Sequence, residues 1–132
     1  MKLSIVMPCY NEGSTISESL NSVLNVQLEI EKELLIIDDY STDGTREYLQ
    51  SIAGRDKNIK IICHAQNQGK GAALRTGYKE ASGDIILIQD TDLEYAPNEY
   101  HKLLRPIIEN KADEVYGSLL IGGVFHCVLF YL

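Results

Sequence analysis

The sequence predicts an α/β fold built around a mostly parallel central sheet. Short apolar runs of strand length alternate along the chain with segments whose apolar residues recur at helical spacing. This alternation implies right-handed crossovers between parallel strands, which place helices against a single sheet. The strands are expected at Leu3–Met7, Leu34–Ile37, Ile59–Cys63, Ile85–Ile88 and, from a weaker pattern, Glu114–Tyr116.

Four helices are predicted between these strands. The first opens at Thr15, which has capping-box spacing to Glu18, and the third covers about Gly71–Ala81. The fourth begins near Pro97, and Pro106 is expected to kink or shorten it. The expected buried faces are Ile16, Leu20, Val23 and Leu24 in the first helix, Tyr48, Leu49 and Ile52 in the second, Ala72, Leu74 and Tyr78 in the third, and Leu103, Leu104, Ile107 and Ile108 in the fourth.

Length and charge bound the class of protein. The 132 residues correspond to one domain, and 45% hydrophobic with 23% charged residues is ordinary globular composition. A net charge of -7 argues against a nucleic-acid partner, which would require a basic face. A nucleotide is compatible with this charge, because it needs only a few local donors and a metal ion.

Cysteine usage and the N-terminus indicate a cytoplasmic setting. Cys9, Cys63 and Cys127 are widely spaced and form neither a CxxC pair nor a zinc pattern, which favours reduced thiols. Cys9 and Cys63 are interpreted as small core residues at strand ends. The first apolar run ends at Pro8, too soon for a secretory signal or a membrane span.

Composition changes after Ser118. Residues 119–132 are apolar and nearly uncharged, and Gly122 and Gly123 interrupt a run that is already short for a membrane span. The predicted organisation is therefore one domain over residues 1–118 followed by an apolar tail over residues 119–132. A buried edge, a membrane-facing edge and a truncated acceptor region all remain open interpretations of the tail.

Polar clusters follow four successive strands at their carboxyl ends, where ligands bind in open α/β sheets. After the first strand, Tyr10 can stack on a base and Glu12 can accept a hydrogen bond from a base or a ribose. After the second strand, one acid of the cluster can accept a hydrogen bond from a base edge, and Asp39 is the preferred candidate. Ser41 or Thr42 in the same cluster can instead cap the next helix.

The third and fourth clusters suit phosphate and metal. Gly69, Lys70 and Gly71 place a lysine between glycines at a helix N-terminus, which suits a phosphate or the face of a nucleotide. Asp90 and Asp92 are two carboxylates whose mutual repulsion a Mg²⁺ or Mn²⁺ ion would relieve. Each cluster alone also fits a turn or a helix cap, but four at one sheet edge favour a nucleotide-plus-metal site.

Four motifs in this order resemble glycosyltransferase family 2, and within it the polyprenyl-phosphate sugar transferases. The resemblance covers Lys2 to about Ser118. It implies a Rossmann-like GT-A three-layer sandwich, a UDP- or GDP-sugar donor, inversion at the anomeric carbon, and a polyprenyl-phosphate acceptor at the cytoplasmic face of a membrane. The motifs are Val6-Met7-Pro8-Cys9-Tyr10-Asn11-Glu12, Ile37-Asp38-Asp39-Tyr40-Ser41-Thr42-Asp43-Gly44-Thr45, Asn67-Gln68-Gly69-Lys70-Gly71 and Gln89-Asp90-Thr91-Asp92-Leu93-Glu94-Tyr95.

A dinucleotide-dependent redox protein is disfavoured, because the first strand is not followed by the glycine fingerprint of that class.

The resemblance to glycosyltransferase family 2 implies a role for each matched residue. The implied catalytic residues are Asp90 and Asp92, acting through the metal ion. The eight implied nucleotide-binding residues are Pro8, Tyr10, Glu12 and Asp39 at the nucleoside, Asn67, Gly69 and Lys70 lining the same pocket, and Asp90 at the diphosphate. The implied ligands of the Mg²⁺ or Mn²⁺ ion at the donor diphosphate are Asp90, Asp92 and Glu94.

The chain departs from the family pattern at three positions. Tyr40 stands where the family usually has glycine, and Leu119 and Cys127 stand where the lipid-phosphate transferases have arginine. Leucine and cysteine lack the charged guanidinium with which arginine binds an anionic phosphate. The leading hypothesis is an inverting, metal-dependent glycosyltransferase, and the alternative is a catalytically inactive or truncated nucleotide-binding module.

Overall fold

Strands and helices alternate along the chain. The structure is a computed structural model that describes residues 1–91, 97–118 and 125–131, with side chains for residues 1–91, 97 and 99–113. The short helix Pro97–Glu99 precedes the last α-helix. The elements are β1 Lys2–Cys9, α1 Ile16–Leu24, β2 Glu31–Asp38, α2 Thr45–Ile52, β3 Ile59–Cys63, α3 Lys70–Glu80, β4 Ile85–Ile88, α4 Tyr100–Ile108, β5 Glu114–Ser118 and β6 Phe125–Tyr131.

The described strands form one sheet in the order β3-β2-β1-β4-β6-β5. β1, β2, β3 and β4 are mutually parallel, so that Val6 in β1 lies opposite Leu35 in β2 and Ile88 in β4. β6 runs antiparallel to both β4 and β5. The predicted α/β class with a mostly parallel sheet is confirmed.

Side chains of the parallel strands alternate between two apolar faces, as the period of a strand requires. On one face, Leu3, Ile5 and Met7 pack with the buried residues of α1, α2 and α4. On the other face, Val6 packs with Ala73 of α3. In β1, β2 and β4 both faces are buried, because these strands place apolar side chains toward a helical layer on each side. The result is three layers, with α3 alone covering the second face of the described sheet.

Several element bounds differ from the sequence prediction. β3 and β4 have the predicted limits, whereas β1 and β2 are longer, because the ladder pairs Lys2 with Glu31 before the apolar run begins. Phe125–Tyr131 is a strand of the sheet, whereas the sequence pattern predicted only an apolar tail there. α4 continues two residues past Pro106, and Ile108, predicted to be buried, is 43% exposed.

Two local predictions were wrong. The capping box at the start of α1 does not form, because the Thr15 hydroxyl donates to Glu12 rather than capping the helix with its own side chain. Cys63, predicted to be a core residue, is exposed, because β3 is an edge strand of the sheet. Cys9 and Cys63 are both free thiols. None of the described helices combines the length and apolar character needed to cross a bilayer.

Glu33 ties the amino-terminal end of β2 to its neighbours. Its carboxylate accepts hydrogen bonds from the Ser4 hydroxyl at 2.5 Å, the Ser82 backbone N–H at 2.7 Å and the Lys2 ammonium at 3.0 Å. Burial alone would raise the pKa of Glu33, but these hydrogen bonds outweigh it and lower the pKa from 4.5 to about 2. The ionised form therefore stabilises the fold.

We expect this contribution to stability to be present above pH about 4.5 and lost as the pH falls toward about 2. Relative to the Glu33→Gln variant, the wild-type chain should be more stable by about 2 kcal/mol at pH 5, allowing for the partial exposure of Lys2. Urea unfolding at pH 5 and at pH 2.5 measures the difference, which should shrink at the lower pH. Glu31→Gln, an exposed position in the same strand, is the charge-matched control. A difference independent of pH would contradict the role of the ionised carboxylate.

Candidate functional site

A cavity of about 400 Å³ lies at the carboxyl ends of the parallel strands. The cavity opens beside β1. The sheet extends from β1 to β2 and β3 on one side and to β4 on the other, so β1 marks the topological switch point of the sheet. All eight residues predicted to bind the nucleotide lie in its wall, whereas Asp92 and Glu94 lie outside the described residues. The lining consists of Pro8, Cys9, Tyr10, Glu12, Asp39, Asn67, Gly69, Lys70, Ala73, Asp90 and Thr91.

Asp39 is the most constrained carboxylate of the cavity, with 3% of its surface exposed. Oδ1 lies 2.9 Å from the Gln68 backbone N and 2.8 Å from His64 Nδ1, and Oδ2 accepts from the Gly69 backbone N–H at 2.8 Å. Gly69 has a φ of 93°, which favours glycine at the turn that directs this N–H. Burial alone would raise the pKa of Asp39, but the hydrogen bonds from His64 and the two N–H groups lower it. Asp39 is therefore held as a carboxylate.

Asp38 belongs to the structural support of the cavity. It is fully buried, and its Oδ2 accepts from Arg46 Nε at 2.9 Å and from the Ser41 backbone N–H at 3.2 Å. The hydrogen bond to Asp38 raises the pKa of Arg46. Arg46 also donates to the backbone carbonyl of His64, so this pair joins the ends of β2 and β3 behind the cavity.

The loop after β1 is fixed to the loop after β2. The Asn11 backbone N–H donates to Ser41 Oγ at 3.0 Å, and Asn11 Oδ1 accepts from the Thr42 N–H at 2.8 Å. Asp43 accepts from the Gly13 N–H at 3.0 Å and from the Thr45 N–H at 3.0 Å. Neither Ser41 nor Thr42 caps α2; the carboxylate of Asp43 satisfies its first N–H instead.

Asp90 forms an ion pair across the mouth of the cavity. Lys70 Nζ lies 2.6 Å from Asp90 Oδ1, with the Lys70 side chain 60% exposed and the Asp90 side chain 21% exposed. Lys70 is the first residue of α3, so the positive end of the helix and the ammonium face the same space. The pair brings the lysine predicted to contact phosphate and a carboxylate predicted to hold a metal ion together at one place.

The end of β4 is held in part by Tyr100 and Ser19, which the sequence patterns did not single out. Gln89 donates from Nε2 to the Asp90 carbonyl at 2.9 Å, and its Oε1 accepts from the fully buried Tyr100 hydroxyl. The Ser19 hydroxyl donates to the Thr91 carbonyl at 2.5 Å. These bonds join α1, β4 and α4, so the backbone that carries Asp90 is fixed by buried contacts.

Cys9 contributes a thiol to the wall without a reactive character. Burial, together with the carboxylates of Asp38, Glu12 and Asp43, strongly raises its pKa. The nucleophile in cysteine chemistry is the thiolate, so Cys9 is a small apolar lining residue and not a catalytic nucleophile.

A comparison with protein families matches residues 4–124 to the model described as glycosyl transferase family 2. The chain belongs to glycosyltransferase family 2. A dolichol-phosphate mannosyltransferase from Pyrococcus furiosus is 32% identical over 123 residues, which cover 93% of this chain and 34% of that protein. An undecaprenyl-phosphate 4-deoxy-4-formamido-L-arabinose transferase from Proteus mirabilis is 33% identical over 106 residues, covering 78% of this chain and 32% of that protein. The chain thus spans about one third of the length of these family 2 relatives.

Solved structures of glycosyltransferases share the fold. TarS from S. aureus, crystallised with UDP, superposes with a TM-score of 0.72 at 28% identity, covering 86% of this chain and 34% of that one. The mannosyltransferase PcManGT from Pyrobaculum calidifontis, solved with GDP-Man and Mn²⁺, gives a TM-score of 0.81 at 20% identity, covering 98% of this chain and 44% of that one. The predicted GT-A architecture is confirmed.

The donor chemistry around Asp90 fits a divalent cation. Hard carboxylate oxygens suit Mg²⁺ and Mn²⁺, and Asp90 is a partly exposed carboxylate in the cavity wall whose present counterion is an exposed lysine. Within the part of the chain that the structure describes, no three His, Cys, Asp or Glu side chains come together as a ligand set. The other predicted ligands of the family 2 site, Asp92 and Glu94, lie outside that part.

Tyr40, which stands where the family pattern predicts glycine, has a backbone conformation that favours glycine. Its φ is 68°, in the left-handed region that costs an L-residue about 1–2 kcal/mol. The Arg46 guanidinium lies 5.2 Å from the centroid of the Tyr40 ring, a cation–π contact of about 0.5–1 kcal/mol at an exposed position. The contact with Arg46 offsets part of the backbone strain at Tyr40. The turn therefore keeps a left-handed conformation that glycine would adopt without strain.

We expect Tyr40→Gly to be more stable than Tyr40→Ala by about 1 kcal/mol. Both variants lose the contact with Arg46, but only glycine relieves the left-handed backbone strain. Thermal or urea unfolding of the two variants measures the difference. A Tyr40→Ala variant that is more stable than Tyr40→Gly, which is the usual result where φ is negative, would show that the turn is not strained.

Proposed function

We propose that the chain forms the donor-binding part of an inverting glycosyltransferase, which moves a sugar from a nucleotide-sugar to a polyprenyl phosphate at the cytoplasmic face of a membrane. The observation that carries the proposal is the single cavity whose wall combines Asp39, Lys70 and Asp90 from three different strand ends. The relatives named for transfer to dolichol phosphate and undecaprenyl phosphate support this acceptor class.

The nucleoside occupies the part of the cavity formed by the ends of β1 and β2. Tyr10, 48% exposed at the rim, offers a ring face for stacking on the base. Asp39 offers a fixed acceptor to an N–H of the base, and Glu12 offers an acceptor to the base or the ribose. Asn67 donates to the Asp39 carbonyl at 3.2 Å, so the loop before α3 closes this part of the wall.

The diphosphate occupies the part near Lys70 and Asp90. The ammonium of Lys70 and the N-terminus of α3 attract anionic oxygens. Asp90 would hold the Mg²⁺ or Mn²⁺ ion together with Asp92 and Glu94. When bound, the ion neutralises charge on the departing nucleoside diphosphate.

The transfer needs alignment more than proton removal, because a lipid phosphate is already anionic at neutral pH. A phosphate oxygen of the acceptor forms a bond to the anomeric carbon, and the bond from that carbon to the diphosphate oxygen breaks with its electron pair. Attack from the face opposite the leaving group inverts the anomeric centre. The task of this chain's residues is to hold the donor in line and to stabilise the leaving group.

Nucleotide binding with and without metal tests the donor site. We expect Mn²⁺ or Mg²⁺ to strengthen the binding of UDP or GDP, measured by isothermal titration calorimetry, and Asp92→Ala to abolish that strengthening. Asp56→Ala, which removes an exposed acid distant in sequence from the motifs, is the control and should retain it. Metal-dependent strengthening that persists in Asp92→Ala would rule out Asp92 as a ligand of the ion.

A second candidate function is nucleotide binding without transfer. Leu119 and Cys127, which stand where the lipid-phosphate transferases have arginine, favour this alternative. Transfer of a labelled sugar from UDP-glucose or GDP-mannose to a polyprenyl phosphate distinguishes the two. Binding of donor and metal with no transfer at saturation would favour the binding module.

A further inference from the structure

His64 is a buried residue that neither the family motifs nor the proposed chemistry uses. It is 8% exposed and directly follows β3, and its backbone N–H donates to the Asp38 carbonyl at 2.8 Å. Its ring lies between Asp39 and Thr76, with Nδ1 2.8 Å from Asp39 Oδ1 and Nε2 2.8 Å from Thr76 Oγ1. The imidazole thus connects the carboxylate of the cavity to the middle of α3.

The donor in the bond to Asp39 is fixed by chemistry. An ionised carboxylate can only accept, so the proton in the contact must be on Nδ1 of His64. Oδ1 of Asp39 therefore accepts two hydrogen bonds, from His64 and from the Gln68 N–H. Oδ2 accepts one, from the Gly69 N–H.

Asp39 has few acceptor positions left for a ligand. A carboxylate offers about four acceptor positions, two on each oxygen. The contacts within the described residues use both positions on Oδ1 and one on Oδ2. A base in the cavity meets a single acceptor position, on Oδ2.

A single acceptor position distinguishes the two candidate bases. The pairing edge of uracil presents one N–H between two carbonyl oxygens, which requires one acceptor. The pairing edge of guanine presents two adjacent donors, N1–H and the exocyclic amine, which pair best with both oxygens of a carboxylate. With Oδ1 fully engaged, the second guanine donor would be left without a partner, which is unfavourable in a desolvated site.

We propose that His64 is a positioning residue that restricts Asp39 to one base-facing acceptor position and so makes the site select uracil over guanine. The proposal rests on the proposed function, because it assumes that a nucleoside diphosphate occupies the cavity. His64 acts through Asp39 and does not itself contact the base.

The experiment compares the dissociation constants of UDP and GDP, at fixed Mn²⁺ concentration, for the wild-type chain and two variants. We expect the wild-type chain to bind UDP about tenfold more tightly than GDP, because the second guanine donor is left without a partner in a desolvated site. His64→Leu frees a position on Oδ1 and should bring the two constants to within about threefold of each other. In His64→Asn, the side-chain amide carries a donor at the same number of bonds from the backbone as Nδ1, and it should restore the preference.

Pyrophosphate is the base-free control. Its affinity should be the same in all three proteins, because the effect of His64 is confined to the base. A wild-type chain that binds UDP and GDP equally overturns the inference, as does a His64→Leu variant with the wild-type ratio. Equal losses for UDP, GDP and pyrophosphate would show that the residue is only structural.

The outcomes also separate this inference from the function it rests on. Failure of the wild-type chain to bind either nucleotide would overturn the proposed function itself. Circular dichroism establishes whether each variant is folded. If His64→Leu does not fold, a wild-type chain that binds UDP and GDP equally, or a folded His64→Asn variant that loses the preference, still overturns the inference.

Discussion

Replacing Asp39 by asparagine is expected to lower the free energy of unfolding by about 2–3 kcal/mol and to weaken nucleotide binding about a hundredfold. The amide NH₂ would face either the Gly69 N–H or the pair formed by the Gln68 N–H and His64 Nδ1. In each orientation, the amide NH₂ faces at least one N–H donor that now has no acceptor. Because Asp39 is only 3% exposed, water cannot replace the lost acceptor.

Urea unfolding measures the first effect and calorimetry with UDP or GDP measures the second. Asp56→Asn is the matched control, because it removes the same charge from an exposed carboxylate whose Oδ1 accepts from the Asn58 N–H. Its stability should change by less than about 0.5 kcal/mol. An Asp39→Asn variant as stable as the control would mean that the hydrogen bonds to Asp39 contribute little.

Gly77→Ala is expected to destabilise the chain by about 1–2 kcal/mol. A Cβ at Gly77 would overlap Cγ1 of Val6 and lie 3.2 Å from its Cγ2. Val6 is fully buried in the central strand β1, with β2 and β4 on either side, so it has no free space into which to move. Overpacking costs about 1–3 kcal/mol, and the overlap with a buried Cγ1 places this case in the upper part of that range, so the cost exceeds the gain of about 1 kcal/mol from replacing glycine in a helix.

Gly71→Ala in the same helix provides the control. There the nearest atom to a new Cβ is Arg75 Nη1 at 3.5 Å, which is an ordinary contact. This variant should be unchanged or stabilised by up to about 1 kcal/mol, since only the helix propensity differs. Thermal unfolding of the two variants should therefore move in opposite directions. A stabilised Gly77→Ala would show that α3 can shift away from β1 at little cost.

Much of the parallel sheet could be predicted because its signals are local. Ile59–Cys63 and Ile85–Ile88 are short apolar runs with polar or glycine boundaries, and the structure gives both the predicted limits. The eight predicted nucleotide-binding residues meet in one cavity because the carboxyl ends of neighbouring parallel strands share an edge. Their placement follows from topology, while their individual roles stay predictions.

The parts that could not be predicted depend on contacts between distant segments. The bonds from Ser19 to Thr91 and from His64 to Asp39 join residues far apart in the chain, and neither has a local pattern. The Thr15–Glu18 spacing fits a capping box, but the competing bond from Thr15 to Glu12 replaces it. Phe125–Tyr131 is apolar without regular alternation, so only its pairing with β4 and β5 reveals a strand.

The cavity wall is drawn from segments between Pro8 and Thr91, so it exists only when the parallel strands are assembled. A ligand that requires this wall binds the folded chain and not the unfolded one. By mass action, such a ligand at a hundred times its dissociation constant would add about 2.7 kcal/mol to the free energy of unfolding. The melting temperature of the chain therefore reports on occupancy of the site, and nucleotides can be ranked by thermal shift before any sugar transfer is measured.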